Sequence, residues 1–224
     1  MKPEEIAKKY GIDLKKLEQE QIRLAKQLQT KDSIDFSSVE RIGAIDNAFF
    51  ENKIISACIV LTQDMEILDQ EYFSDKMKFP YISGFRAYRE LPSMIEAFNK
   101  LAEKPDVIFI QGHGIAHPRL GIASHFSIST NIPSIGVANS LISGEVKGED
   151  ILLDGKKVGR VLLSKPGSKP MYISPGNLIS VDTAYELAKK FIRLPHKLPE
   201  PLHLAHKYSR EVRKEAFGSV KKDE

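Results

Sequence analysis

Apolar and polar positions along the chain follow two periods, one typical of helices and one typical of strands. Between residues 13 and 30, leucines and isoleucines recur at near-helical spacing among charged residues. This pattern predicts an amphipathic N-terminal helix, which we place at about 10–30. Three apolar runs follow, at 40–50, 53–62 and 65–73, with short polar connections. Such runs predict antiparallel strands joined as hairpins.

The pattern then alternates between helices and strands. Residues 85–103 predict a helix that ends before Pro105, and the run "DVIFI" that follows predicts a fully buried strand. Residues 119–130 predict another helix, and "PSIGVA" at 133–138 predicts another buried strand. This order of elements is typical of parallel pairing, because a crossover connection brings the second strand beside the first.

The last third of the chain adds two more strand signals and two helices. A hairpin is predicted in "DGKKVGRVLLS", followed by the short strand "MYIS", a helix at about 181–192 and a basic C-terminal helix at about 201–216. We therefore expect one α/β domain over residues 1–224. Its sheet would be a three-stranded antiparallel meander plus parallel strands, with helices on both faces, and the ribonuclease H-like fold fits this description.

Composition adds limits to this expectation. The chain is 42% hydrophobic and 28% charged, which is typical of a globular protein. Its single cysteine, Cys58, excludes a disulfide or a cysteine-based zinc site within one chain. The apolar runs are far shorter than the roughly 20 residues of a membrane span, and the N-terminus lacks the apolar core of a signal peptide. We expect a soluble, cytoplasmic protein.

The net charge of +3 permits nucleic-acid binding without demonstrating it. Lysines and arginines concentrate near both ends of the chain. The simplest interpretation of each charge run is a solvated helix face. Charge alone therefore leaves the class of ligand open.

Two carboxylates stand out against their surroundings. Asp46 interrupts an apolar strand, where an aspartate is more often a turn or edge residue than a ligand. Glu90 lies on the predicted helix with Arg86 and Arg89 within one turn, and an ion pair within the helix would explain it. The alternative is that Asp46 and Glu90 share a divalent cation, because hard ions such as Mg²⁺ prefer carboxylate oxygens.

The stretch "IQGHGIAHPRLGIASH" after the buried strand has the features of a site. Gln111 occupies the carboxyl end of the strand, where α/β proteins form their binding crevices, and Gly112 allows a sharp turn or a close approach to a ligand. His113 and His117 follow. Their spacing favours a hydrogen-bonding role over a zinc pair.

Several motifs together resemble one family. The stretches "IGAIDNAFF", "FPYISGFRAYRELP", "PDVIFIQGHGIAHPRLGIASH", "IPSIGVA", "YISPGNLISVD" and "LPEPLHLAH" are similar in order and spacing to the endonuclease V family, over roughly residues 10–215. The resemblance implies a ribonuclease H-like domain that uses Mg²⁺, with Mn²⁺ as an alternative ion. It also implies cleavage at the second phosphodiester bond on the 3′ side of a deoxyinosine, as an endonuclease of DNA repair.

The resemblance assigns roles to individual residues. Asp46 matches the first metal-binding aspartate, Glu90 the glutamate of the metal cluster, and His206 the histidine near the site. Tyr81 matches the tyrosine of a wedge that separates the strands beside the lesion. A further group is expected around the substrate, where the base is turned out of the stack: Gly84, Gly112, His113, His117, Arg119, Gly121 and Asn139.

This chain departs from the family pattern at two positions. Gln111 stands where the family carries a metal-binding aspartate, so any ligand at this position would be a weak, neutral one. Asn139 stands where the family carries a lysine in a "GVAK" segment. The two losses have opposite charge, and we suspect that they are coupled.

Two functional hypotheses from different classes follow. The first is an active, metal-dependent endonuclease that acts as a monomer on DNA containing deaminated adenine, with inosine in RNA as a further substrate and no membrane partner. The second is a catalytically weakened protein that binds inosine or nucleic acid without efficient cleavage. A ribonuclease H-like nuclease for junctions or hybrids is a third reading. We favour the first because the residues that match the family motifs are retained: Asp46, Glu90, His117, Arg119, Tyr81 and His206.

Overall fold

The computed structural model describes residues 2–218, whose strands form one nine-stranded sheet and whose helices number six. The strands are β1 Ile42–Phe50, β2 Lys53–Leu61, β3 Ile67–Lys76, β4 Val107–Gln111, β5 Ser134–Ala138, β6 Glu145–Lys147, β7 Asp150–Leu153, β8 Lys156–Leu162 and β9 Met171–Asn177. The helices are α1 Pro3–Tyr10, α2 Leu14–Ala25, α3 Arg86–Lys100, α4 Ile122–Thr130, α5 Val181–Lys190 and α6 Glu200–Phe217.

The sheet has the order β3-β2-β1-β4-β5-β9-β8-β7-β6. Strands β1, β2 and β3 form the predicted antiparallel meander, while β1, β4 and β5 pair in parallel. Strand β9 pairs antiparallel with β5 on one side and with β8 on the other. Strand β8 in turn pairs antiparallel with β7. The predicted α/β, ribonuclease H-like arrangement is confirmed, although the three-residue strand β6 gave no recognisable signal in the sequence.

Alternation along the central strands builds two cores. In β4, Phe109 packs with helices α5 and α6 on one face of the sheet, while Ile108 and Ile110 pack with α3 and α4 on the other. In β1, Ala44 and Ile45 divide between the same two cores. Because successive side chains of a strand point to opposite faces, an uninterrupted apolar run requires a helical layer on each side.

The N-terminal region differs from the expected helix at about 10–30. The expected helix is α2, which is shorter at both ends, and it is preceded by α1, which was not predicted and which Gly11 ends in the left-handed conformation with φ of 65°. Asp13 then caps α2, accepting a hydrogen bond from the backbone N–H of Lys16 at 3.1 Å. The C-terminal helix, expected at about 201–216, is α6. Within residues 2–218, no helix is long and apolar enough to cross a membrane.

Candidate active site

The candidate site lies where the parallel pairing of β1 with β4 ends: β4 stops at Gln111, while β1 continues past Asp46 to Phe50. The parallel register pairs Ile45 with Ile110, so Asp46 and Gln111 are the next residues along their strands. In open α/β sheets, the carboxyl ends of parallel strands face the crevice that binds ligands. The fold therefore brings together two polar residues that are 65 positions apart in the sequence.

Asp46 is held from the α6 side of the sheet. Its side chain is almost fully buried, and its Oδ2 accepts a hydrogen bond from the hydroxyl of Ser209 and pairs with Nδ1 of His206, both at 2.9 Å. Ser209 and His206 are three residues apart on α6 and so share one helix face. Among the described residues, Oδ1 of Asp46 has no hydrogen-bond donor.

The partners of His206 define its tautomer. Nε of Arg210 donates a hydrogen bond to Nε2 of His206 at 2.8 Å, so Nε2 is unprotonated. The ring proton is therefore assigned to Nδ1, which donates a hydrogen bond to Asp46. Arg210 lies four residues further along α6. The chain Arg210–His206–Asp46 thus orients the carboxylate through a neutral imidazole ring.

Glu90 is held from the α3 side of the sheet. Its Oε1 accepts from Nε of Arg86 at 2.6 Å and its Oε2 from Nδ2 of Asn47 at 2.7 Å, and its side chain is almost fully buried. Burial alone would lower the pKa of Arg86, but the hydrogen bond to Glu90 and the nearby charge of Asp46 raise that pKa above its usual value. The intrahelical ion pair anticipated from the sequence is therefore present, and it fixes a guanidinium at the site.

The structure does not gather the three expected acidic and imidazole groups into one compact cluster. Asp46 and His206 are in direct contact, but Glu90 does not join them in a group whose ligand atoms all lie within 4.8 Å of one another. Asp46 and Glu90 approach the sheet edge from opposite faces. Gln111, the last residue of β4, lines a cavity whose lining includes Arg86 but neither Asp46 nor Glu90.

The turn after β4 depends on close backbone packing. Gly112 has φ of +150°, and a Cβ there would lie 2.5 Å from Ile122 and 3.1 Å from Nη1 of Arg86. At Gly121, a Cβ would lie 2.1 Å from the carbonyl oxygen of His113. Both glycines are therefore required by the packing of the turn against α4 and Arg86.

The two histidines of the turn are neutral hydrogen-bonding groups in this environment. Nε2 of His113 lies 2.8 Å from the carbonyl oxygen of Ser140, and burial lowers the pKa of His113. Burial, reinforced by the neighbouring imidazole of His113 and by the positive charge of Arg119, lowers the pKa of His117 to about 4. Nδ1 of His117 accepts from the backbone N–H of Arg119 at 3.1 Å. Their ring centroids are 6.4 Å apart.

Arg119 ties the N-terminal helix α2 to the turn before α3. Its Nε donates to Oε1 of the fully buried Gln21 at 2.7 Å, and its Nη1 pairs with Glu18 at 3.2 Å. The carbonyl of Gly84 accepts from Gln21 at 3.0 Å and from Arg119 at 3.4 Å. These contacts give Arg119 and Gly84 a structural task, and their contact with substrate stays a prediction.

A cavity of about 470 Å³ opens beside these residues. Its lining includes Tyr81, Gly84, Arg86, Gln111, Gly112, His113, His117 and Asn139. Tyr81 stands at this cavity with 62% of its surface exposed, as expected for a side chain that is not part of the core. Asn139 accepts a hydrogen bond at 3.1 Å from the ammonium group of Lys197, which comes from the loop before α6.

Four contributors to the site were not identified from the sequence: Asn47, Ser209, Arg210 and Lys197. Ser209 had one readable signal, since it lies three residues after His206 on a predicted helix. Asn47 and Lys197 reach the site through side-chain directions that no local pattern encodes.

Comparison with known proteins identifies the relatives of this chain. The family model for endonuclease V matches residues 22–207. Endonuclease V of Thermosipho melanesiensis is 39% identical over 186 residues, covering 79% of this chain and 82% of its own, and that of Archaeoglobus fulgidus is 34% identical over 217 residues, covering 94% and 98%.

Solved structures agree. The catalytic domain of human endonuclease V superposes with a TM-score of 0.83 at 28% identity, covering 92% of this chain and 97% of its own. A variant of Ciona intestinalis endonuclease V, in complex with a DNA containing an inosine followed by a ribo-adenosine, gives 0.81 at 25% identity and covers 91% and 98%. The match to the family model extends over most of the chain, from α2 into α6, and includes Asp46, Glu90, Gln111 and His206. The chain belongs to the endonuclease V family.

Proposed function

We propose that the protein is a metal-dependent endonuclease that cuts a nucleic-acid strand at the second phosphodiester bond on the 3′ side of a deoxyinosine. The observation that carries the proposal is the buried Asp46, oriented by His206 and Ser209, on the strand beside β4, whose last residue, Gln111, lines a cavity with an exposed tyrosine. Family membership supports the nuclease activity. The substrate follows from the Ciona relative, whose structure contains DNA with an inosine.

The residues present fit a hard divalent cation. Asp46 keeps one carboxylate oxygen without a donor among the described residues, Glu90 offers a second carboxylate, and Gln111 offers a carboxamide oxygen. Oxygen donors of this kind suit Mg²⁺ or Mn²⁺. When bound, such an ion lowers the pKa of a water molecule and offsets charge on the phosphate. Asp46, Glu90 and Gln111 would hold it.

His206 acts first as a positioning residue in this proposal. Its Nδ1–H fixes one oxygen of Asp46, while Arg210 occupies Nε2. A role for Nε2 in orienting the attacking water or contacting phosphate requires Arg210 to move away, for example toward a phosphate of the bound strand. Arginine favours phosphate oxygens because its planar guanidinium can form paired hydrogen bonds.

Positive charge reaches the cavity from two side chains of this protein. Arg86 lines the cavity from α3, and the ammonium group of Lys197 is hydrogen-bonded to Asn139 at its rim. We expect these two groups to contact the strand's phosphates and to offset negative charge that develops during cleavage. Lys197 thus places a positive charge beside Asn139, which is itself neutral. Asn139→Lys should therefore restore cleavage that Lys197→Met weakens.

Base recognition is assigned to the cavity and to Tyr81. The cavity volume of about 470 Å³ lies in the range of roughly 300–1,000 Å³ that is usual for small ligands. Neutral His117 and the polar backbone of the glycine-rich turn suit hydrogen bonds to an uncharged base. The exposed ring of Tyr81 would fill the space that the extruded base leaves in the stack.

The alternative function is binding of inosine-containing nucleic acid without efficient cleavage. It is favoured by one observation, the neutral Gln111 at the edge of β4 beside Asp46. A neutral ligand attracts a cation less strongly than a carboxylate does, and the positively charged guanidinium of Arg86, which is paired with Glu90, repels a cation at the site. Both functions predict binding, so cleavage has to separate them.

The decisive experiment uses end-labelled duplexes that are identical except for one inosine or adenosine, each made as DNA and as RNA. With Mg²⁺ or Mn²⁺, wild-type protein should cut the inosine strand at one position, mapped against size markers, and Asp46→Ala should not. Tight binding with no cutting by wild type, and cutting restored in Gln111→Asp, would instead establish the binding function.

The wedge is tested separately. Tyr81→Ala should weaken binding and cleavage of the inosine duplex more than of an inosine single strand, because only the duplex has to be opened. Tyr10→Ala is the matched control, since Tyr10 is also an exposed tyrosine (55%) but lies on α1, away from the cavity. Equal effects of Tyr81→Ala on duplex and single strand would contradict the wedge.

A further inference from the structure

A second group of potential metal ligands lies at the beginning of α6. The ligand atoms of His196, Glu200 and His203 all lie within 4.8 Å of one another, and within the described part of the chain no other three histidine, cysteine or acidic residues do so. Nδ1 of His196 is 2.7 Å from Oε2 of Glu200, and the rings of His196 and His203 stack with centroids 3.5 Å apart. These three residues are called the rim cluster below.

The backbone holds the rim cluster in place. Glu200 and His203 are three residues apart in the first turn of α6, so their side chains project from the same helix face. The preceding loop is closed by a bridge between Ile192 and Pro199, and the N–H of Glu200 donates to the carbonyl of Phe191 at 2.7 Å. His196 is therefore presented to the helix by a tied loop.

The donor atoms are accessible and not fully used. The side chains of His196 and Glu200 are 34% and 13% exposed, so solvent and ions can reach them. Within residues 2–218, the ring nitrogens of His203 have no hydrogen-bond partner, and only one oxygen of Glu200 is engaged, by His196. Binding one ion at the roughly 2.0–2.2 Å that zinc requires needs the stacked rings of His196 and His203 to rotate, so that one nitrogen of each points at the ion together with the carboxylate of Glu200.

We propose that the rim cluster is a binding site for a transition-metal ion that accepts both nitrogen and oxygen ligands, such as Zn²⁺. Two imidazoles and one carboxylate form a donor set that zinc sites use, with water as the remaining ligand. The set differs in kind from Asp46, Glu90 and Gln111, whose oxygens suit Mg²⁺. Because the donor types differ, the two sites select different ions.

Occupancy of the rim cluster would stabilise the part of the fold that supports Asp46. An ion there links the loop before α6 to the first turn of the helix that carries His206 and Ser209. It also fixes the backbone next to Lys197, whose ammonium group rests on Asn139. An ion that binds the folded state alone raises its stability in proportion to the logarithm of the free ion concentration.

The experiment titrates Co²⁺, a visible probe for tetrahedral nitrogen and oxygen sites, and Zn²⁺ into the metal-free chain. Wild type should bind one equivalent of Co²⁺ with d–d absorption near the tetrahedral range, and Zn²⁺ should displace it and raise the melting temperature. His203→Ala and His196→Ala should weaken binding by at least about tenfold. Glu200→Gln should do the same while keeping the side-chain shape, which guards against a loss through misfolding.

Two matched variants separate this site from the catalytic carboxylates. Asp46→Ala should keep the full Co²⁺ signal, because it leaves the rim cluster intact. Lys207→Ala, on the same helix but without a ligand atom in the cluster, should also keep it. The proposal is overturned if wild type binds no Co²⁺, or if binding survives in His203→Ala and disappears in Asp46→Ala.

Discussion

The two carboxylates of the site are supported in opposite ways. Asp46 is held through one oxygen by a serine hydroxyl and a neutral imidazole, and its other oxygen has no donor among the described residues. Glu90 has both oxygens engaged, one by the guanidinium of Arg86 and one by the amide of Asn47. Asp46 is oriented without being neutralised, whereas Glu90 is paired with a full positive charge.

This difference separates two tasks that are often combined in one group. A buried carboxylate without a cationic partner retains its attraction for an added cation, while one that forms an ion pair has most of that attraction satisfied. We infer that Asp46 is the principal ligand of the site. Glu90 both contributes to the site and keeps Arg86 in place beside the cavity.

The largest expected effect is that of Asp46→Asn. The substitution keeps the size of the side chain and its acceptor for Ser209, but removes the negative charge. We expect the rate of inosine-strand cleavage at saturating enzyme to fall by about 10³-fold, since one strongly interacting catalytic group is typically worth 10²–10³ or more. Single-turnover gel assays measure this rate.

Substrate binding provides the control for Asp46→Asn. Affinity for the inosine duplex without metal should change little, because Asp46 is almost fully buried and does not line the cavity. A cleavage loss smaller than that of Glu90→Gln would reverse our ranking of the two carboxylates.

Glu90→Gln should lower both activity and stability. The substitution leaves the guanidinium of Arg86 without its carboxylate, and loss of a buried charge-assisted partner costs about 2 kcal/mol. We expect cleavage to fall by about 10²-fold and the free energy of unfolding by that amount, measured in urea. Asp106→Asn is the matched control, because Asp106 also pairs with an arginine, Arg41 at 3.1 Å, but far from the cavity. It should lower stability without slowing cleavage.

The fold could be anticipated from the sequence because its central strands carry the pattern of their surroundings. Residues 107–110 in the run "DVIFI" are all apolar, and a strand without polar positions is expected to be covered on both faces. Its burial between two helical layers could therefore be predicted. Helix α1 was missed because it has only eight residues and buries one of them, Ala7. Strand β6 was missed because all three of its residues are exposed, and only its hairpin partner specifies it.

The site could be anticipated only in part. The proximity of Asp46 and Gln111 was predictable, since each comes directly after an apolar run in the sequence and their strands pair in parallel. The partners of Asp46 lie 160 and 163 residues away in the sequence, and their contact depends on how α6 crosses the sheet. Arg86 was recognised as an ion-pair partner, but the sequence could not show that its guanidinium also lines the cavity.

Gln111→Asp tests whether an added negative charge next to Asp46 strengthens metal binding. A third carboxylate should tighten Mg²⁺ binding by about tenfold, because the added charge interacts with the ion at short range. Gln111→Asn is the matched control, since asparagine has the shape of aspartate without its charge. The Mg²⁺ concentration for half-maximal cleavage, and direct binding of Mn²⁺ by magnetic resonance, measure the effect. Equal affinities of the two variants would mean that Arg86 neutralises the added carboxylate.

The smallest effect is expected for Ser209→Ala, which removes one of the two groups that orient Asp46. The buried hydroxyl donates to Oδ2 at 2.9 Å, and its loss should cost about 1 kcal/mol of stability. Because His206 still holds the same oxygen, cleavage should slow by no more than about fivefold.

Ser127→Ala supplies the comparison for that small effect, since its buried hydroxyl donates to the carbonyl of Ile132 at 2.6 Å, within the α4 region. It should lower stability to a similar extent and leave the cleavage rate unchanged. If Ser209→Ala instead abolished cleavage, the orientation of Asp46 would depend on the serine rather than on the imidazole. The neutral tautomer of His206 would then not be what distinguishes the support of Asp46 from that of Glu90.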